Sequence, residues 1–106
     1  MYVSHVYNFS NKMQDRWDVG FGKIAEQHPV ILTEFGTVEN NGVCGPPQFW
    51  ADVIHYANQH GIGWVAWAWY PGGCGFPALI TDYSGTPSDY GAVVREQLRL
   101  AAGLQP

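Results

Sequence analysis

A chain of 106 residues, 46% hydrophobic and only 13% charged, has room for one domain and enough apolar material for its core, which excludes both a disordered chain and a multidomain one. Its net charge of −4, with five Lys and Arg scattered singly, leaves no basic surface to track phosphates, so nucleic acid is not an expected partner. No window of about 18 apolar residues occurs, so no membrane partner is expected, and the residues from Met1 onward lack the basic flank and apolar run of a signal peptide.

Taken in chain order, residues 2–7 combine β-branched and aromatic side chains before Asn8, Ser10 and Asn11, the pattern of a short strand. Side chains two apart on a strand share a face, so His5 and Tyr7 are expected to project together near its carboxyl end. Over residues 12–27, Met13, Trp17, Phe21 and Ile24 recur at helical spacing and predict an amphipathic helix. Gly20 and Gly22 weaken it by about 1 kcal/mol each relative to Ala, and His28-Pro29 ends it, because a residue before proline avoids the helical region.

Residues 29–36, Pro-Val-Ile-Leu-Thr-Glu-Phe-Gly, are the centre of the chain. Three successive apolar residues without polar alternation predict a buried parallel strand. Glu34 then falls at its carboxyl end, where α/β sheets and barrels gather their chemistry. A loop over 37–47 leads to a helix whose apolar stripe is Phe49, Trp50, Val53, Ile54 and Ala57. His55 and His60 have no ligand partner at i+4 and read as surface or capping residues, so no metal site is expected.

Gly61-Ile62-Gly63 opens a third strand, Trp64-Val65-Ala66-Trp67-Ala68-Trp69. Strict alternation would put Val65, Trp67 and Trp69 on one face, with Trp64, Ala66 and Ala68 on the other. A long loop over 70–87 follows. Its cluster Gly72-Gly73-Cys74-Gly75 lacks the Lys-Ser/Thr ending and the helix of a phosphate cradle, and no GxGxxG follows the first strand. Ser88 or Asp89 then caps a last helix with Tyr90, Val93, Val94, Leu98 and Ala101 as its stripe.

The order is strand, helix, strand, helix, strand, helix at about thirty residues per unit, a parallel α/β arrangement in a single domain over residues 1–106. Five Trp, six Tyr and five Phe exceed what so small a core needs, and flat rings suit the C–H faces of sugars, although core packing is the expectation for Trp17 and Trp50. Cys44 and Cys74, each in a Gly/Pro-rich loop without metal-ligand spacing, fit a disulfide in an oxidising compartment, with two free thiols as the alternative.

The set His5-Val6-Tyr7, Thr33-Glu34-Phe35-Gly36, Trp64-Val65-Ala66-Trp67-Ala68-Trp69 and Leu79-Ile80-Thr81-Asp82-Tyr83, in this order, resembles the carboxyl-terminal part of the cellulase-type glycoside hydrolases of family 5. The resemblance covers nearly the whole chain and implies a partial (β/α)8 TIM barrel, its sixth, seventh and eighth units. It implies that Glu34 is the nucleophile of a retaining β-glycosidase, that Tyr7 orients it, that His5 contacts sugar, and that Trp67 is a platform under the ring, with Trp69 and Tyr70 along the groove. It further implies a β-linked glucan substrate and a secreted location; since no metal-ligand set is visible, no cofactor is expected.

One departure is large. The family's acid/base glutamate lies in an Asn-Glu-Pro motif, and this sequence contains none; Glu39 and Asp82 match no such position. Half of a catalytic pair is therefore missing, and removal of a general acid typically costs about 10² to 10⁴-fold. Two other functions stay open beside a glucanase fragment. One is a self-associating barrel piece, a homo-oligomer whose copies close the sheet at its two open edges or bury an inner sheet face of Val30, Leu32, Val65 and Trp67. The other is a carbohydrate-binding unit without chemistry, against which the strand-helix alternation argues, since such modules are usually β-sandwiches.

Overall fold

The computed structural model describes residues 1–39, 45–73 and 75–105. Three parallel strands form one sheet in the order β1 (Tyr2–Tyr7), β2 (Val30–Gly36), β3 (Gly63–Trp64), and helices follow each strand, the arrangement of a partial (β/α) barrel. The disulfide expectation falls on Cys44 and Cys74, which lie outside the described residues.

One face of the sheet is covered. Val6, Val30, Leu32 and Phe35 are buried against Trp17, Phe21, Phe49, Trp50, Val53, Ile54, Ala57, Tyr90 and Val94 from the helical layer. The expected stripe of helix α2 (Pro47–Gln59) is buried in full, with proline in its first turn, where the missing N–H costs nothing. Trp17 and Trp50 are core residues whose indole N–H groups are bonded to the Lys12 carbonyl and the Thr37 hydroxyl. His60 ends α2, stacked on Tyr56 and bonded through Nδ1 to the Tyr56 carbonyl.

Four sequence expectations are corrected. The helix over 12–27 is broken into two 3₁₀ turns (Ser10–Lys12, Gln14–Arg16), a π turn (Asp18–Gly22) and helix α1 (Lys23–Ala25). The extended backbone at Met13 and the two glycines interrupt a regular ladder, while Trp17 and Phe21 still reach the core. Helix α3 (Asp89–Ala101) buries its stripe only as far as Val94; Leu98 is 54% exposed.

Val30 and Leu32 are the third correction: at 6% and 0% exposure they face the helices, and the open face carries Val3 and Val65 instead. The cause is a β-bulge. Ser4 pairs with Leu32 but His5 pairs with Glu34, so Thr33 is an extra residue without a partner on β1. Counting by twos back from Glu34 therefore assigns Leu32 and Val30 to the wrong face.

The same bulge explains the fourth correction, the short third strand. The Val65 N–H bonds the Leu32 carbonyl at 2.8 Å, but the Trp67 N–H bonds Phe35 at 3.3 Å, two residues along one chain against three along the other. The regular ladder stops at Trp64. Beyond it the Ala68 N–H bonds Pro77 and its carbonyl accepts from Leu79, so the chain is taken over by the returning loop, whose Ala78, Leu79 and Ile80 are buried. The Trp67–Ala68 peptide is cis.

Candidate active site

Without the bulge, the alternation that buries Val30 and Leu32 would send Glu34 into the core and Phe35 outward. The inserted Thr33 reverses this. Phe35 pairs with Val6 in the core at 0% exposure, and Glu34 pairs with His5 on the open face. An apolar strand thus presents a carboxylate on the open face, part-buried beside a hydroxyl donor, and not inside the core.

Three side chains converge there. The Tyr7 hydroxyl donates to Glu34 Oε2 at 2.6 Å, and the His5 ring nitrogen Nε2 lies 3.8 Å from Oε1. His5 Nε2 is also 3.1 Å from the Thr33 hydroxyl, and Lys12 Nζ donates to the His5 carbonyl at 3.2 Å. Burial, then the hydrogen bond to Glu34, then the charge of that carboxylate push the Tyr7 phenol far above its usual range. The phenol therefore stays a donor at any physiological pH, and Oε1 is left as the less encumbered oxygen.

The surrounding loops are fixed by polar clamps. Asn8 accepts from the Val38 N–H at 2.9 Å and donates to the Val38 carbonyl, tying the loops after β1 and β2 together. The buried Tyr90 hydroxyl donates to the Phe35 carbonyl, which also accepts from Trp67, so one oxygen beside Glu34 holds α3 and the segment after β3 in place. Burial drives the Tyr90 phenol well above its usual range, against the opposing effect of the Trp67 backbone. Gly36 permits the close approach: a Cβ there would meet Pro77 at 2.7 Å.

Of the sequence candidates, His5, Tyr7 and Glu34 are brought together. Trp67 is 41% exposed and tied by its amide to the residue after Glu34. Trp69, 72% exposed, instead lies beside Gly85, and Tyr70 packs edge-on against Phe76; neither bonds to the carboxylate group among the described residues. Asp82 is held at about 2 by hydrogen bonds from Ser84 and Thr86 inside a tight turn. It is an ionised turn residue, unsuited to give up a proton near neutrality. Thr33, Asn8 and Tyr90 were not singled out as site residues from the sequence. The adjacent polar pair Thr33-Glu34, ending an apolar run, was the available signal for the first.

Among the described residues no group of three or more His, Asp, Glu or Cys is placed to hold a metal ion, and no helix is long and apolar enough to cross a membrane.

The family model "Cellulase (glycosyl hydrolase family 5)" matches residues 1–73. Among solved structures, a β-glucanase from Saccharophagus degradans is similar over 95% of this chain and 33% of its own, at 28% identity and a TM-score of 0.75. Its complex with cellotetraose gives 26% identity and a TM-score of 0.76 over the same shares. An endo-β-1,4-glucanase from Xanthomonas axonopodis pv. citri shares the fold over 92% of this chain and 36% of its own, with 16% identity and a TM-score of 0.67. The chain thus spans about a third of the length of these enzymes. No curated protein matches it.

Proposed function

The chain belongs to the cellulase family, glycosyl hydrolase family 5, and we propose that it carries the nucleophile half of a retaining β-1,4-glucanase site, with Glu34 as the attacking carboxylate. The observation that carries this reading is the 2.6 Å bond from Tyr7 to Glu34 on the open sheet face, at the carboxyl end of a strand. The phenol fixes Oε2 and leaves Oε1 for attack on the anomeric carbon. A bond forms from Oε1 to that carbon as the bond to the leaving oxygen breaks, and a second, protonated carboxyl about 5 Å away normally supplies the proton that oxygen needs. Among the described residues Asp82 does not fill the second role, since it is committed to its turn.

His5 contacts a sugar hydroxyl, and Trp67 stacks under the ring at the cleavage site, an orientation that can supply several kcal/mol of the barrier reduction. Trp69 and Tyr70 extend the groove. The saccharide bound by the Saccharophagus degradans enzyme supports a β-linked glucan as ligand.

The test is hydrolysis of an aryl β-cellobioside, whose leaving group needs little protonation, by the chain and by Glu34→Gln. Turnover that disappears in the variant supports the reading. Equal rates for both overturn it.

A second reading, self-association, is favoured by the exposed apolar residues of the same sheet face, Val3 at 57% and Val65 at 48%. A second copy would cover them. Sedimentation at micromolar concentration should then show a species heavier than 11.8 kDa, and a monodisperse monomer would refute it.

A further inference from the structure

The bulge residue itself carries a group that the nucleophile reading leaves without a task. Thr33 has no partner on β1, and its hydroxyl lies 3.1 Å from His5 Nε2, while Glu34 Oε1 lies 3.8 Å from the same nitrogen. A regular strand could not place two consecutive side chains against one neighbour, because they would point to opposite faces. The insertion that turns Glu34 outward therefore also brings a hydroxyl to the histidine.

These two oxygens decide where the imidazole proton resides. A lone pair on Nε2 would face the carboxylate, whereas an N–H there is attracted to it and donates to Thr33 Oγ1. Nδ1 then carries the lone pair. It makes no hydrogen bond among the described residues, and the His5 side chain is 46% exposed. Lys12 holds the backbone of the same residue through its carbonyl, so His5 is tied at its backbone as well as at Nε2.

We propose that Thr33 is a positioning residue: its hydroxyl, with the Glu34 carboxylate, holds His5 as the Nε2–H tautomer and so presents Nδ1 as a hydrogen-bond acceptor to a glucan hydroxyl. This rests on the reading of His5 as a sugar contact. It adds the atom that makes the contact and the residue that selects it.

The test uses the intact chain labelled with ¹⁵N-histidine, at pH 8, where a free imidazole is neutral. Long-range ¹H–¹⁵N correlations report the tautomer, and a His5→Asn variant assigns the signal. In the wild type His5 should show a proton on Nε2 that exchanges slowly with water. Thr33→Val keeps the β-branched shape and removes only the hydroxyl; it should speed that exchange by about tenfold or more and mix the tautomers, and Thr33→Ser should restore the wild-type pattern. An Nδ1–H tautomer in the wild type, or unchanged His5 signals in Thr33→Val, would overturn the proposal.

Cellotetraose affinity separates the layers. Thr33→Val should weaken it by about 2- to 10-fold, the range for one ordinary hydrogen bond, with Thr33→Ser near wild type. A wild type that binds no cellotetraose yet shows the held Nε2–H sinks the glucan reading and supports the tautomer assignment.

Discussion

The Tyr7 hydroxyl donates a 2.6 Å hydrogen bond to Glu34 Oε2, joining adjacent parallel strands at the open end of the sheet. A hydrogen bond to a charged group contributes about 1.5–3 kcal/mol. Tyr7→Phe should therefore lower aryl β-cellobioside turnover by about 10- to 100-fold, with little change in KM if the bond acts on the nucleophile and not on sugar binding. A circular dichroism spectrum matching the wild type would show that the fold is intact. A larger rise in KM than fall in kcat would assign Tyr7 to sugar binding instead.

The phenols of Tyr7 and Tyr90 are both raised, chiefly by burial. Their folded values exceed the unfolded value of about 10, so above that pH the unfolded chain loses these protons first. It then binds fewer protons than the native state, and stability falls with rising pH. The contribution is fully present below about pH 10 and is lost as the pH climbs toward the folded values. Urea denaturation at pH 9 and pH 11 should show this loss, and Tyr90→Phe should reduce it. At pH 7 the same variant should cost about 1–2 kcal/mol, because the Phe35 carbonyl loses its hydroxyl donor.

Gly91 is a packing requirement of α3. A Cβ there would lie 1.8 Å from the Leu79 carbonyl oxygen, whose partner is the Ser88 N–H at the helix start. Gly91→Ala must push the helix off the loop and should cost about 2–3 kcal/mol or more. Gly20, where a Cβ meets nothing within 4 Å, is the control: Gly20→Ala should be neutral or stabilising by up to about 1 kcal/mol. Thermal unfolding of the two variants checks the contrast.

Trp67 and Trp69 separate platform from groove. Both are exposed, at 41% and 72%, so neither truncation should unfold the chain. Trp67→Ala should weaken cellotetraose binding by about 5- to 100-fold, from lost ring area and stacking. Trp69, displaced toward the 82–86 turn beside Gly85, should matter less. Calorimetry or intrinsic fluorescence reads both, and an equal loss for the two would place Trp69 in the same subsite.

The strand-helix alternation, the α2 stripe and the shared face of His5 and Tyr7 were legible because each rests on a local period: 3.6 for Phe49, Trp50, Val53, Ile54 and Ala57, and 2 for His5 and Tyr7. The meeting of Tyr7 with Glu34 was legible only through the family resemblance. What failed was parity across Thr33. The run Val30-Ile31-Leu32 has no polar alternation to declare its core face, and a bulge leaves little trace in composition, so strict alternation puts Val30 and Leu32 on the open face and carries the third strand past its end at Trp64. The first helix misled for the opposite reason. Trp17 and Phe21 keep helical spacing because they pack as a pair, although the backbone between them winds as a π turn. Tyr90 read as one more stripe residue; that its hydroxyl reaches Phe35, 55 residues away, is a tertiary fact that no local pattern carries.

The central claim is that Glu34 is the nucleophile, and covalent trapping tests it most directly. An aryl 2-deoxy-2-fluoro-β-cellobioside with a good leaving group forms the glycosyl–carboxylate bond as the aryl oxide departs, and the fluorine slows the hydrolysis that would follow. Intact mass and peptide mapping should find one fluoro-cellobiosyl group per chain, on Glu34, and none in Glu34→Gln. An adduct on another residue, or a wild-type chain left unlabelled at millimolar reagent while still binding cellotetraose, would contradict the claim.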